Sequence, residues 1–114
     1  MLPLDVSVLE DLVGDDHEVI CDFLTEYARS ADRLNAELLT AVAQDDLPEA
    51  AAVLHKLKSS SRSVGALPLG ELCSTIERAA RDRDTDLVQQ VLPAFGQELA
   101  AVQRALTAYL DRSR

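Results

Sequence analysis

Apolar residues recur every three or four positions along most of the chain, which is the spacing that gathers them on one face of an α-helix. We find neither the alternation of period two that indicates a strand nor an internal repeat. The clearest apolar stripe contains Ile20, Phe23 or Leu24, Tyr27, Ala31, Leu34, Leu38 and Val42. The pattern therefore predicts an all-α protein.

Capping residues and helix breakers divide this pattern into five helices. Asp5 and Gly14 are suited to the two ends of a short first helix, and Asp46 begins the third. Gly65 stops the third helix, and Pro68 begins the fourth. The predicted helices span residues 5–13, 16–43, 47–64, 68–81 and 85–111.

The last predicted helix contains two helix breakers, Pro93 and Gly96. Proline removes a backbone donor and its ring clashes with the preceding turn. We therefore expect a kink near Pro93, or a break into two pieces between residues 89 and 96.

Four substantial amphipathic helices joined by short connections cannot bury their apolar stripes alone. The arrangement that buries all four is an antiparallel up-down four-helix bundle, with the short N-terminal helix as an addition at one end. At 114 residues the chain is long enough for one such domain over residues 1–114 and a self-standing core.

The charge balance argues against several classes of partner. Eleven basic and twenty acidic residues give a net charge of −9, which repels phosphate backbones and anionic lipids. We therefore expect no nucleic-acid partner and no direct membrane contact. The two cysteines form no disulfide framework, and no apolar run could span a bilayer, so we expect a cytoplasmic protein or a piece of a larger membrane-anchored one.

One histidine falls on the solvent side of the predicted third helix. At about 100° per residue, the core-facing residues occupy an arc of about 100°, and His55 lies roughly 140° from the centre of that arc. The core-facing residues are Leu47, Ala50, Leu54, Leu57, Ser61 and Val64. We therefore expect the imidazole of His55 to be exposed.

Small residues and cations flank this imidazole. Ala51 and Ala52 on one side and Ser59 on the other are too small to shield it, while Lys58 and Arg62 lean toward it. A neutral, exposed imidazole is a nucleophile, and the two cations would stabilise the oxygens of a phosphoryl group that it accepted. An ordinary solvated histidine beside ordinary surface cations is the alternative interpretation.

A second pair of residues suggests metal binding but supports it weakly. His17 and Cys21 are four residues apart and share a helix face. Two ligands alone make a poor site, and a surface histidine beside a core cysteine explains the pair. We predict no metal site.

The segment HKLKSSSRSVGALPLGELCSTIERAAR, residues 55–81, resembles the histidine-containing phosphotransfer (HPt) domain of bacterial phosphorelays. The family's motif runs approximately H-x-L-K-G-S-S-x-x-x-G-A, followed by L-x-x-L-C-x-x-[IL]-E. The matching positions are His55, Leu57, Lys58, Ser60, Ser61, Gly65, Ala66, Leu69, Leu72, Cys73 and Glu77. Ser59 departs from the usual glycine, and Arg62 stands where another small residue is common.

This resemblance implies a phosphocarrier rather than an enzyme. His55 would accept a phosphoryl group from a receiver-domain aspartate and pass it to the aspartate of another receiver. Lys58 would stabilise the phosphoryl oxygens, and Arg62 is the candidate for a second contact. The Mg²⁺ and most of the catalytic apparatus would belong to the receiver, so no cofactor is expected on this domain.

The resemblance also implies partners. These are response-regulator receiver domains and a hybrid sensor histidine kinase, whose cytoplasmic terminal domain this chain could be. We expect a receiver to dock on Ala51, Ala52, Lys56 and Ser59 of a monomer. Two alternatives stay open: a docking bundle that binds a receiver or kinase without accepting phosphate, and a plain adaptor in which His55 is incidental.

Overall fold

The computed structural model describes residues 2–113, and this part of the chain contains five α-helices and no strand. The helices are α1 (Val6–Val13), α2 (His17–Ala43), α3 (Leu47–Val64), α4 (Leu67–Arg81) and α5 (Thr85–Arg112). The predicted all-α fold class is confirmed.

Aspartate side chains begin four of the helices. Asp5, Asp16, Asp46 and Asp84 each accept a hydrogen bond from a backbone N–H group in the first turn of the helix that follows. Such caps satisfy donors that have no partner within the helix. Helix α4 has no side-chain cap and instead has Pro68 in its first turn, where a missing N–H costs nothing. Local sequence therefore sets the helix starts.

Helices α2 to α5 form the bundle, in which each helix packs against two neighbours. Helices α2 and α4 each contact both α3 and α5, while α1 lies across α2 and α3. The core consists mainly of leucine, alanine, valine and isoleucine side chains drawn from all five helices. Within residues 2–113, no helix combines the length and the apolar character that crossing a bilayer requires.

Helix α1 is attached to the bundle through a backbone contact. The N–H group of Asp5 donates to the carbonyl oxygen of Gly65, at 2.9 Å. Gly65 ends α3 with a φ of 89°, in the left-handed region that favours glycine. A Cβ atom at this position would overlap the carbonyl of Asp5, so the close approach requires glycine.

The structure corrects the expectation of a break near Pro93. Helix α5 is continuous through Pro93, so the alternative of two pieces is wrong. Pro93 and Gln89 both lie on the solvent side of the helix, where water can hydrate the Gln89 carbonyl that lacks its usual helical donor. A kink at this position stays a prediction.

The structure also decides between the two candidates for the second position of the α2 stripe. Leu24 is fully buried, whereas Phe23 is 48% exposed. Phe23 therefore belongs to the surface, next to the groove between α2 and α3.

Candidate functional site

The imidazole of His55 stands on the outer face of α3. Its side chain is 61% exposed, while Leu54 and Leu57 on the same helix are fully buried. The six core-facing positions predicted for α3 are all buried. The position of His55 therefore follows from the amphipathic pattern of its own helix.

A buried carboxylate of α4 lies beside His55. Nδ1 of His55 is 3.1 Å from Oε2 of Glu77, whose side chain is almost completely buried. Nζ of Lys58 lies 2.7 Å from Oε1 of Glu77. Nε and Nη2 of Arg81 donate to Oε2, at 3.1 and 2.9 Å. We call His55, Lys58, Glu77 and Arg81 the Glu77 cluster.

The surroundings of Glu77 keep its carboxylate ionised. Burial alone would raise the pKa of Glu77, but contacts with Lys58, Arg81 and His55 outweigh it and lower the pKa from 4.5 to about 2. An ionised carboxylate only accepts hydrogen bonds. Nδ1 of His55 must therefore carry the proton that it donates to Glu77.

This hydrogen bond determines which ring nitrogen is free to react. A neutral imidazole that is protonated on Nδ1 has its lone pair on Nε2. Within the described residues, Nε2 of His55 has no hydrogen-bond partner. The Glu77 cluster thus presents an exposed imidazole with its nucleophilic nitrogen available and positive charge alongside.

The two cations predicted beside His55 have different positions in the structure. Lys58 contacts Glu77, the carboxylate that also contacts His55, and so belongs to the Glu77 cluster. Arg62 lies seven residues after His55, which is roughly 10 Å along the axis of α3. Its Nη2 is 3.4 Å from Oε1 of Glu71, and its side chain crosses Gly70 of α4. The structure therefore does not place Arg62 at the imidazole.

Glu77 and Arg81 are site residues to which the sequence reasoning gave no role. A signal for Glu77 was present, because it lies at the edge of the apolar stripe of α4, where a carboxylate needs a partner. The signal for Arg81 was weak, since a glutamate and an arginine four residues apart form an ordinary surface pair on many helices.

The predicted docking residues are not all exposed. Ala52, Lys56 and Ser59 lie on the open face of α3 around His55. Ala51 is only 2% exposed, so its expected place on the surface is wrong. Because α3 packs against both α2 and α4, its buried arc is wider than the arc that the apolar stripe alone predicts.

An apolar groove runs between α2 and α3, along the side of α3 that faces α2. It is lined in part by Phe23, Ser60, Ser63 and Val64. Below it, the hydroxyl groups of Tyr27 and Ser61 form a buried hydrogen bond of 2.7 Å that joins the two helices. The exposed ring of Phe23 is thus an apolar surface near the outer face of α3.

His17 and Cys21 lie together at the start of α2. Sγ of Cys21 is 3.6 Å from Nε2 of His17, and Cys21 is half-buried rather than part of the core. In residues 2–113 no third potential ligand completes a group of metal-binding side chains.

Comparisons with known proteins identify similar sequences and folds. Residues 18–105 match the family described as Hpt domain. The chain is similar in structure to histidine-containing phosphotransfer protein B (HptB) from Pseudomonas aeruginosa PAO1, with a TM-score of 0.90 and 21% identity over 98% of this chain and 97% of that one. It is also similar to the HPT domain of the Hpt sensor hybrid histidine kinase from Shewanella, with a TM-score of 0.82 and 22% identity over 96% and 95% of the two chains. No curated protein sequence matches.

Proposed function

This chain belongs to the Hpt domain family, which serves phosphotransfer in two-component systems, and we propose that it is a phosphorelay intermediate. In this proposal, His55 accepts a phosphoryl group from a receiver-domain aspartate and passes it to the aspartate of another receiver. The observation that carries the proposal is the exposed imidazole whose Nδ1 is held by the ionised carboxylate of Glu77. An incidental surface histidine needs no such partner.

The proposed transfer is a single displacement at phosphorus. The lone pair of Nε2 forms the bond to phosphorus as the bond from phosphorus to the aspartate oxygen breaks, and the electron pair of that bond returns to the carboxylate. The imidazole gains positive charge while Nδ1 keeps its proton. Glu77, 3.1 Å away, stabilises that charge, and the reverse displacement delivers the group to the second receiver.

Lys58 and Arg81 are the cations that we assign to the phosphoryl oxygens. Both contact Glu77, and therefore both lie next to the imidazole that the same carboxylate holds. Charge-assisted hydrogen bonds from ammonium and guanidinium groups suit phosphoryl oxygens. The second contact, expected from Arg62 on sequence grounds, is better assigned to Arg81, because Arg62 is directed to Glu71.

The partner supplies the rest of the chemistry in this proposal. The chain contributes the nucleophile, the carboxylate that orients it and the flanking cations. The receiver contributes the aspartate, Mg²⁺ and the groups that hold Mg²⁺. The chain thus acts as a phosphocarrier rather than as an enzyme, and it binds no cofactor of its own.

The receiver must bring its aspartate close to His55. Reacting atoms need to approach within about 3–3.5 Å, so bulky neighbours of the imidazole would prevent transfer. Ala52 and Ser59 are small and exposed, which leaves the approach open. A receiver seated there also meets Lys56, the exposed neighbour of His55.

Labelling from a phosphorylated receiver tests the proposal. Receiver domains from the same genome are charged with radiolabelled acetyl phosphate and mixed with wild type, His55→Gln or His17→Gln. We expect an acid-labile, alkali-stable label on wild type and on His17→Gln, and none on a normally folded His55→Gln. A bundle that only docks would bind a receiver without becoming labelled, and equal labelling of all three proteins would refute the assignment to His55.

A further inference from the structure

Positive charge is concentrated around the site of an otherwise acidic chain. Residues 50–83, which carry the Glu77 cluster, contain six basic and three acidic residues, a net charge of +3. The rest of the chain contains five basic and seventeen acidic residues, a net charge of −12. This separation of positive and negative charge creates an electric field that favours one orientation of an approaching charged partner.

Three arginines extend this positive charge along the end of α4. Arg78, Arg81 and Arg83 are all exposed, and we call them the α4 basic rim. Two shallow cavities adjoin at Arg81. The first is lined by Lys58, Ser74, Glu77, Arg78 and Arg81, and the second by Pro48, Ala51, Ala80, Arg81 and Arg83. The rim therefore continues directly from the Glu77 cluster.

Two arginines of the rim form no ion pair within residues 2–113. In residues 2–113, neither Arg78 nor Arg83 has a carboxylate oxygen within 4.0 Å, whereas Arg81 contacts Glu77. Asp82 and Asp84 flank Arg83 and offset part of its charge. The carboxylate of Asp84 also accepts the N–H of Leu87 as the cap of α5.

The charges of Arg78 and Arg81 also stabilise α4 itself, because cations in the last turn of a helix interact favourably with its dipole. That explanation does not extend to Arg83, which lies beyond the end of α4 with a φ of 58°. The dipole therefore leaves the placement of Arg83 unexplained.

We propose that the α4 basic rim is a docking surface for the acidic face of a receiver domain. The inference rests on the proposed function and names the side from which the partner approaches. Mg²⁺ is held by oxygen ligands, chiefly carboxylates, so the surface around a phosphoryl-bearing aspartate is rich in acidic groups. Arg78 and Arg83 attract that surface from the α4 side of His55. A nucleic acid fits the rim less well, because its phosphates extend beyond these three arginines and meet the other surfaces of a chain whose net charge is −9.

Such a surface acts on encounter rather than on the chemical step. Arg78 and Arg83 do not belong to the Glu77 cluster, so they leave the reactivity of the imidazole unchanged. Complementary charge on two partners raises the association rate, and salt screens the effect. Loss of Arg78 and Arg83 therefore slows transfer from a receiver at low salt, slows it less at high salt, and leaves reaction with a small donor unaffected.

A matched pair of charge reversals tests the inference. The variant Arg78→Glu/Arg83→Glu reverses the two charges of the rim that lie outside the Glu77 cluster, and the control Arg29→Glu/Arg104→Glu makes the same change of net charge on α2 and α5. The rate of transfer is measured at 50 and 500 mM NaCl from the receiver that labels wild type fastest. We expect at least a tenfold lower rate constant for the rim variant at 50 mM, a smaller loss at 500 mM, and a control within about twofold of wild type.

Phosphoramidate provides a donor that needs no docking. The bond from Nε2 of His55 to phosphorus forms as the phosphorus–nitrogen bond of phosphoramidate breaks and ammonia leaves. We expect wild type, rim variant and control to react with it at the same rate. If the charge reversals lower the melting temperature, Arg78→Gln/Arg83→Gln replaces the rim variant, with a smaller loss expected in the same direction.

The results distinguish failure of the docking surface from failure of the function proposed for His55. A rim variant that takes phosphate from the receiver as fast as wild type overturns the docking surface, as does an equal loss in the rim variant and the control. Those results leave the function of His55 intact. Wild type that is labelled by no receiver refutes the proposed function, and the docking surface with it.

Discussion

Nδ1 of His55, on α3, lies 3.1 Å from Oε2 of Glu77, on α4. The hydrogen bond crosses between two helices that pack extensively against each other. Because Glu77 is buried and ionised, the contact holds one tautomer and one orientation of an otherwise exposed ring. The packing of the bundle therefore determines the reactivity of a surface residue.

Glu77 makes the stability of the fold depend on pH. Its pKa is about 2 in the folded protein and 4.5 for the free side chain, so its contribution is complete above pH 4.5 and is lost as the pH falls toward 2. The size is on the order of 3 kcal/mol. Urea unfolding of wild type and Glu77→Gln should differ most at pH 7 and converge near pH 2. A difference that stays constant with pH would contradict the ionised, ion-paired carboxylate.

Lys58 should contribute to transfer much more than its neighbour Lys56. Lys58→Ala removes a cation of the Glu77 cluster, and the loss of one charge-assisted contact of about 1.5–3 kcal/mol slows transfer roughly 10- to 100-fold. Circular dichroism should show a folded bundle with unfolding free energy lowered by about 1–2 kcal/mol, since Glu77 loses a partner. Lys56→Ala, at an exposed position with no ion pair in the described chain, removes only a docking contact outside the Glu77 cluster and should slow transfer less than about fivefold. Equal rates for the two variants would remove Lys58 from the site.

We expect Arg81, and not Arg62, to be the second cation that stabilises the phosphoryl oxygens. Arg81→Ala should slow transfer about tenfold, because Arg81 shares Oε2 of Glu77 with the imidazole. Arg62→Ala should change the rate less than twofold, because the guanidinium of Arg62 lies on Glu71. Transfer kinetics from one receiver under identical conditions compare them. The reverse order of effects would restore Arg62 to the role that the sequence suggested.

Two glycines give a matched test of how α1 is attached. Gly65→Ala places a Cβ atom against the carbonyl of Asp5 at a left-handed φ, and should lower the unfolding free energy by about 2–4 kcal/mol. Gly96→Ala lies within α5 with open space around the new Cβ atom, and should raise the unfolding free energy by up to about 1 kcal/mol. Thermal unfolding measures both. A harmless Gly65→Ala would mean that α1 does not depend on the contact with Asp5.

Much of the fold could be predicted because each helix carries its own signals. Aspartate caps, Gly65 and the spacing of apolar residues are local features, and they were enough to indicate five helices and an all-α bundle. The exposure of His55 also follows from one helix alone, since it depends only on the angle between the imidazole and the stripe of α3.

The parts that could not be predicted depend on how two helices meet. Glu77 reaches His55 only because α3 and α4 pack at a particular register, which no single helix specifies. The same register turns Arg81 toward the site and sends Arg62 to Glu71. The burial of Ala51 was not predicted for a related reason. Helix α3 packs against both α2 and α4, and together they cover a position that lies outside the apolar stripe of α3.

The central claim is that Glu77 holds the proton of His55 on Nδ1 and leaves Nε2 as the nucleophile. Two-dimensional ¹H–¹⁵N NMR of protein labelled at its histidine rings, before and after phosphorylation by a receiver, tests it most directly. The account predicts a proton on Nδ1 of His55 before transfer, and phosphorus bonded to Nε2 of His55 afterwards. Phosphorus on Nδ1, or on any residue other than His55, would contradict it.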